Sequence, residues 1–136
     1  MAPVVTGEDL AKGRAAAADI RASRPSAELD VMALDLASFA SIRSFAAEFS
    51  RRYSQLDVLI ANAGVSTRRR QLSADGYELN FAVNHLGHQL LTGLLLPRLK
   101  AAGQARIVVI SSSLHKNAKI DFSDLQGEKT WSMTSS

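Results

Sequence analysis

The sequence contains no cysteine, which excludes disulfides and thiolate metal sites and makes a reducing compartment, the cytoplasm, the expected setting. Proline occurs only three times and aromatic residues make up only 6%, against 46% apolar and 21% charged residues. That balance excludes a proline-rich or highly charged disordered chain and predicts a globular one. Long apolar runs are missing too. Met1-Ala2-Pro3-Val4-Val5 has no basic stretch leading into a long apolar one, so no secretory signal is expected there. The richest apolar stretch, Leu79 to Leu99, is interrupted by Asn80, Asn84, His85, His88 and Gln89, which argues against a membrane span. His85, His88 and His115 have no carboxylate or cysteine at ligand spacing, so no metal site is expected.

What charge there is gathers locally. The net charge is +3, and much of the excess lies in Arg51-Arg52 and Arg68-Arg69-Arg70. A nucleic-acid surface would need a basic face with interleaved aromatics or a known reader motif, and neither is present. The arginine run is read as a solvated loop, with no nucleic-acid partner expected.

Periodicity supplies the elements. Residues 6–24 read as a helix opened by Thr6-Gly7-Glu8-Asp9, which has capping-box spacing, and stopped by Pro25. Leu29-Asp30-Val31-Met32-Ala33-Leu34 reads as a strand ending at Asp35. A helix follows over 38–53, where Phe39, Ile42, Phe45, Ala46 and Phe49 recur at spacings of three and four. Val58-Leu59-Ile60-Ala61 is continuously apolar, as in a parallel strand covered on both faces, and ends in Asn62-Ala63-Gly64. After the arginine loop, Ser73 is a candidate cap for a helix reaching Lys100, with Leu79, Val83, Leu86, Leu90 and Leu94 on its buried stripe. Gly103 closes that helix, and Arg106-Ile107-Val108-Val109-Ile110 is a third strand running into Ser111-Ser112-Ser113. The remainder is polar and irregular, with one helical turn expected near Ser123 to Gln126.

With no repeat or linker, residues 1–136 are read as a single domain. Alternating helices and strands with right-handed crossovers predict an α/β fold: a partial, Rossmann-like, doubly wound parallel sheet with three clear strands and three helices. Such sheets bind ligands at the carboxyl ends of their strands. Those ends here carry Asp35, Asn62-Ala63-Gly64 and Ser111-Ser112-Ser113. Each also has a plainer reading. Asp35 suits a turn or cap, Gly64 a strand end, and three serines a loop. Asn84 is harder to explain plainly, because an asparagine inside a helix costs roughly 0.5 kcal/mol against alanine.

Four ordered motifs carry a family resemblance. Leu56-Asp57-Val58-Leu59-Ile60-Ala61-Asn62-Ala63-Gly64 resembles the fourth strand and Asn-Ala-Gly signature of short-chain dehydrogenases/reductases. Asn80-Phe81-Ala82-Val83-Asn84-His85-Leu86-Gly87-His88, followed by Leu94-Leu95-Leu96-Pro97, resembles the next helix in the retinol-dehydrogenase-like branch. Arg106-Ile107-Val108-Val109-Ile110-Ser111-Ser112 is similar to that branch's fifth strand and catalytic serine, and Asp121-Phe122-Ser123-Asp124-Leu125-Gln126 also fits. The resemblance implies that Asp35 contacts the adenine ring of NAD or NADP and that Asn62, Ala63 and Gly64 form the turn beside the cofactor. It implies that Asn84 belongs to the catalytic tetrad through its backbone carbonyl, and that Ser112, rather than Ser111, bonds the substrate carbonyl.

The same resemblance predicts a chain cut short at both ends. The family's Tyr-x-x-x-Lys pair would fall just past Ser136, and Tyr53 and Tyr77 both precede the serine strand. The family's opening strand and glycine-rich phosphate turn have only a partial echo in Thr6-Gly7 and Gly13, with Glu8 and Asp9 placing carboxylates where an anion would sit. Family members preferring NADP(H) usually carry an arginine after the second strand, and Glu8 stands near that place. The expected function is therefore an oxidoreductase by ancestry, moving hydride to or from a small carbonyl or alcohol substrate but inactive as this isolated chain. The alternatives are a non-catalytic binding fragment and a chain complemented by another. In the doubly wound order 3-2-1-4-5 the absent strand is the central one, so open edges and self-association are expected.

Overall fold

The computed structural model describes residues 4–117, 119–129 and 131. Their order is β1 (Val4–Gly7), α1 (Leu10–Ser23), β2 (Asp30–Ala33), α2 (Phe39–Arg52), β3 (Val58–Ala61), a short α3 (Leu79–Phe81), a π-helical turn (Ala82–Gly87), α4 (His88–Ala101), β4 (Arg106–Val109) and a 3₁₀ turn (Ser113–Asn117). The alternation is the expected α/β one, with one strand more than the hydrophobic pattern showed.

That extra strand corrects the reading of the first residues. Thr6 and Gly7 do not cap a helix; they lie in β1, which pairs in parallel with β2 from Val4↔Asp30 to Gly7↔Ala33. The cap of α1 is Asp9, whose carboxylate accepts from Ala11 N at 2.8 Å and Lys12 N at 3.2 Å. A side-chain oxygen there satisfies donors that a helix start cannot pair internally. Ser38 caps α2 in the same way, accepting from Ser41 N.

The second correction concerns Ser73. Its hydroxyl accepts from Tyr77 N inside a turn that Gly76 completes at φ +82°. The helix starts after Glu78 instead, whose buried carboxylate accepts from Phe81 N at 2.8 Å. The next turn is π-helical, and a π turn holds an extra residue. The buried stripe therefore moves one position along the sequence, from the expected Leu86, Leu90 and Leu94 to Gly87, Leu91, Leu95 and Leu99. Leu90 and Leu94 remain half-buried at its margin. Near the carboxyl end, the turn expected at 123–126 is not helical, and the short helical turn lies at 113–117.

The four strands form two separate parallel pairs, β1-β2 and β3-β4. The second pair runs from Val58↔Arg106 to Ala61↔Val109. Helices α2 and α4 pack on one face, where Ile42, Phe45, Phe49, Leu91, Leu95 and Leu99 form the main core with Met32 and Leu34. Between the two pairs lies a cleft of about 610 Å³, bordered by Val4 and Thr6 on one side and by 58–61 on the other, with Phe45, Phe49, Leu91 and Leu95 beneath. The opposite face of β3 and β4, which carries Val58, Ile60 and Val108, is bare: Ile60 is 61% exposed. No described helix is long and apolar enough to cross a membrane.

Candidate functional site

The carboxyl ends of β3 and β4 lie side by side. Ile110 N donates to Ala61 O at 3.0 Å just past the paired residues, so the strands are still in register as they leave the sheet. Ser111 and Ser112 therefore leave the pair at the same end as the Asn62-Ala63-Gly64 turn. Ser112 is exposed, and its carbonyl accepts from His115 N as the following 3₁₀ turn begins.

The Asn62-Ala63-Gly64 turn is held from the helix side at two points. Asn84, on the π-helical turn, uses its side-chain amide as a backbone would: Nδ2 donates to Val65 O at 2.9 Å, and Oδ1 accepts from Val65 N at 2.8 Å. A Cβ on Gly64 would stand 3.3 Å from Asn84 Oδ1. Glycine at 64 therefore answers a need for space, not for a positive φ. The second point is His88, whose Nε2 lies 2.7 Å from Ala63 O. A carbonyl can only accept, so this contact assigns the proton to Nε2. The other nitrogen, Nδ1, is buried without a partner. Sequence offers His88 as a candidate metal ligand; the signal for its contact with the turn is the four-residue spacing to Asn84, which puts both side chains on one helix face. Among the described residues no cluster suits a metal ion.

Asp35 stands two residues beyond β2. Its Oδ1 accepts from Ala37 N at 2.8 Å, and its own N–H donates to Ser41 Oγ at 3.0 Å, so it shapes the turn into α2. Among the described residues, the hydrogen bonds of Asp35 run to Ser41 and Ala37, while β2 and β3 belong to the separate pairs on either side of the cleft.

The two tyrosines lie elsewhere. Tyr53 ends α2, and its hydroxyl donates to Asp30, the first residue of β2, at the end of the sheet opposite Ser112. The Asp30 carboxylate pushes the Tyr53 pKa up, the wrong direction for a proton-accepting phenolate. Tyr77 packs on Phe39, with ring centroids 5.5 Å apart. Neither is followed by lysine one turn later: Asp57 and Phe81 hold those positions.

A family model described as short chain dehydrogenase matches residues 1–124. The chain belongs to the short-chain dehydrogenase family. Human retinol dehydrogenase 12 is 48% identical over 124 residues, which cover 91% of this chain and 39% of that protein. Human retinol dehydrogenase 13 is 45% identical over 90% of this chain and 37% of its own length. The chain thus spans about 40% of the length of these relatives. Among solved structures, a protein from Mycobacterium paratuberculosis superposes with a TM-score of 0.80 at 36% identity, over 96% of this chain and 44% of that one. A metagenomic short-chain oxidoreductase solved with NADP superposes at 0.68 with 30% identity, over 80% of this chain and 50% of that one.

Within this family member the Asn84 clamp gives a sharp local expectation. Asn84→Ala removes both bonds to Val65, so exchange of the Val65 amide should quicken about fivefold, since one net hydrogen bond is worth about 1 kcal/mol. Global stability should change by less than about 1 kcal/mol, because alanine regains roughly 0.5 kcal/mol of helix propensity. Hydrogen exchange read by NMR beside a urea melt checks both; an unchanged Val65 rate would show that the clamp does not hold the turn.

Proposed function

We propose that this chain carries the serine–asparagine half of an oxidoreductase active site acting on a small carbonyl or alcohol. We further propose that these 136 residues do not turn over by themselves. The observation that carries the reading is the meeting of Ser111–Ser112, the Asn62–Gly64 turn and Asn84 at one end of β3 and β4, while both tyrosines stand apart from Ser112. Ser112 is the group that would hydrogen-bond the substrate oxygen. Asn84, with its side chain spent on Val65, is left to act through its backbone. Losing a positioned general acid typically lowers a rate by about 10²- to 10⁴-fold, so a serine without its tyrosine gives little catalysis.

Nicotinamide cofactors, NAD or NADP, go with this family, and the described residues fit them in part only. Asp35 and the Asn62–Gly64 turn suit the adenine end and the sheet end. Among the described residues the start of α1 offers the diphosphate no cradle. That start, which follows β1, already holds the Asp9 carboxylate on Ala11 N and Lys12 N, with exposed Glu8 next to it. An anion there would displace one carboxylate and face another. No chemical step is therefore derived through the cofactor.

Titrating NADH and NADPH separately into the purified chain, with nicotinamide fluorescence as the readout, tests this. The expected result is no saturable binding in the micromolar range. Micromolar affinity for either nucleotide would sink the claim that the diphosphate has no site.

A further inference from the structure

We infer that Gln126 is a latch that fastens the segment following Ser112 to the loop following the Asn62–Gly64 turn, and that Gln126 and Arg70 are thereby positioning residues for the serine. Two motifs without a part so far meet there, the arginine run at 68–70 and the Asp121–Gln126 stretch. Arg70 Nε donates to Gln126 O at 2.8 Å, and Glu78 N donates to Gln126 Oε1 at 2.7 Å. One residue thus gives both of its carbonyl oxygens to the same loop, from 56 and 48 positions away in sequence. The further pairing of Arg70 with Glu128, 3.8 Å apart at the surface, adds little.

Both sides of the latch are built in advance. On the receiving side, Leu72 and Glu78 form an antiparallel bridge, and Leu79 N donates to Gln71 O at 2.9 Å, so Arg70 and Glu78 stand on a small hairpin. Glu78 is 1% exposed and its carboxylate already accepts from Phe81 N, so its own N–H depends on Gln126 for an acceptor. On the presenting side, Gly127 N donates to Asp124 O at 3.0 Å and closes a four-residue turn with Gln126 third. Aspartate first and glycine fourth are the residues such turns favour. The Asp124 carboxylate also accepts from Glu128 N at 2.8 Å and Lys129 N at 3.0 Å. Gly127 takes φ +57°, and a Cβ there would stand 2.9 Å from Trp131 Cδ1, so only glycine suits the turn.

The consequence for the site follows from connectivity. Strands β3 and β4 part company after the bond from Ile110 N to Ala61 O. One limb passes through the Asn62–Gly64 turn to the hairpin, and the other through Ser112 and the 3₁₀ turn to Gln126. The latch joins the limbs again and closes a ring whose base is the β3-β4 ladder. Ser112 then lies between two fixed points, Ile110 and Gln126. A single 3₁₀ turn such as Ser113–Asn117 is weak by itself, so a hold beyond it limits how far the serine can swing. The inference rests on the reading of Ser112 as the group that meets the substrate, and adds what keeps that group in place.

The test makes Gln126→Met, which keeps the length and removes the acceptor, and Arg70→Met in the full chain, with Gln89→Met on the exposed side of α4 as the control. Amide exchange at Glu78 and at His115, whose N–H bonds Ser112 O, should quicken together in Gln126→Met by about fivefold, the factor for one net hydrogen bond. Arg70→Met should shift both rates in the same direction, and Gln89→Met neither. Relaxation dispersion at the Ser112 amide should be stronger in the two latch variants than in the parent, while all four chains keep one urea midpoint. An unchanged Glu78 rate would show that nothing is latched. A quickened Glu78 with unchanged His115 and Ser112 would show a local cap that does not reach the serine. Either result overturns the inference. No substrate or nucleotide enters the measurement, so its failure leaves the role of Ser112 standing, and a wrong role for Ser112 would leave these rates as expected.

Discussion

Replacing Ile42 by alanine is expected to cost about 2–5 kcal/mol and to abolish a cooperative urea transition at 25 °C. Ile42 is fully buried on the inner face of α2, within the main core cluster. Truncation there loses the transfer free energy of the removed carbons and leaves a void that packed neighbours on every side keep from closing. Leu95→Ala removes a side chain of similar size, also nearly inaccessible, but Leu95 lines the floor of the cleft. The space it vacates opens into a gap that exists already, so the void contributes less and the cost should stay near the lower end, about 2–3 kcal/mol. Paired urea melts decide the order. Should Leu95→Ala prove the more damaging, the cleft floor is sealed in solution and the two strand pairs have closed over it.

The ranking follows from a core that the sequence made plain and a gap that it made plain only indirectly. The α2 helix and β3 were legible almost to the residue, because Phe39 to Phe49 keep a helical stripe and Val58 to Ala61 form an unbroken apolar run. Four residues, Val-Val-Thr-Gly, carry no such pattern. What makes them a strand is pairing with β2, a tertiary fact, and taken alone Thr6 looks like a cap. The long third helix was legible as a helix but not in its phase. Nothing in the sequence of Ala82 to Gly87 announces a π turn, yet that one added residue decides which leucines are buried. The expected open edges are found on β1 and β3, facing each other across the cleft.

At the site, position was easier to read than support. Asn62, Ala63, Gly64 and Ser112 follow strands, and strand ends are where α/β sheets gather polar groups. The supporting contacts depend on the helix opposite. Asn84 was suspect because asparagine is a poor helix former, and the clamp on Val65 explains its place there. His88 carried no such hint: half-buried histidines are common, and only the contact with Ala63 O reveals its part. Asp35 turned out to spend one carboxylate oxygen and its own N–H on the turn into α2, the plainer of its two readings realised in geometry.

Gly87 joins these threads, and its replacement should reach the site as well as the fold. A Cβ at 87 would stand 2.6 Å from Leu36 O and 3.1 Å from Ala82 O, both backbone atoms that cannot swing aside as a side chain end would. Gly87→Ala must therefore push the π-helical turn away from the loop after β2. Overpacking of this kind costs about 1–3 kcal/mol. Gly93, six residues on in α4, meets nothing within 4 Å of the same added carbon. There alanine only restricts the unfolded chain and improves helix propensity, so Gly93→Ala should stabilise by up to about 1 kcal/mol. The opposite signs separate contact from propensity, since both variants make the same chemical change within one continuous helical stretch. Gly87 also lies between Asn84 and His88, the two residues that grip the Asn62–Gly64 turn. Displacing the π-helical turn should loosen both grips together, so Val65 exchange should quicken in Gly87→Ala and stay unchanged in Gly93→Ala. Thermal melts give the signs and NMR exchange gives the coupling. If Gly87→Ala melted like the parent chain, the close approach to Leu36 would not constrain the fold, and the support of the site would have to come from α4 alone.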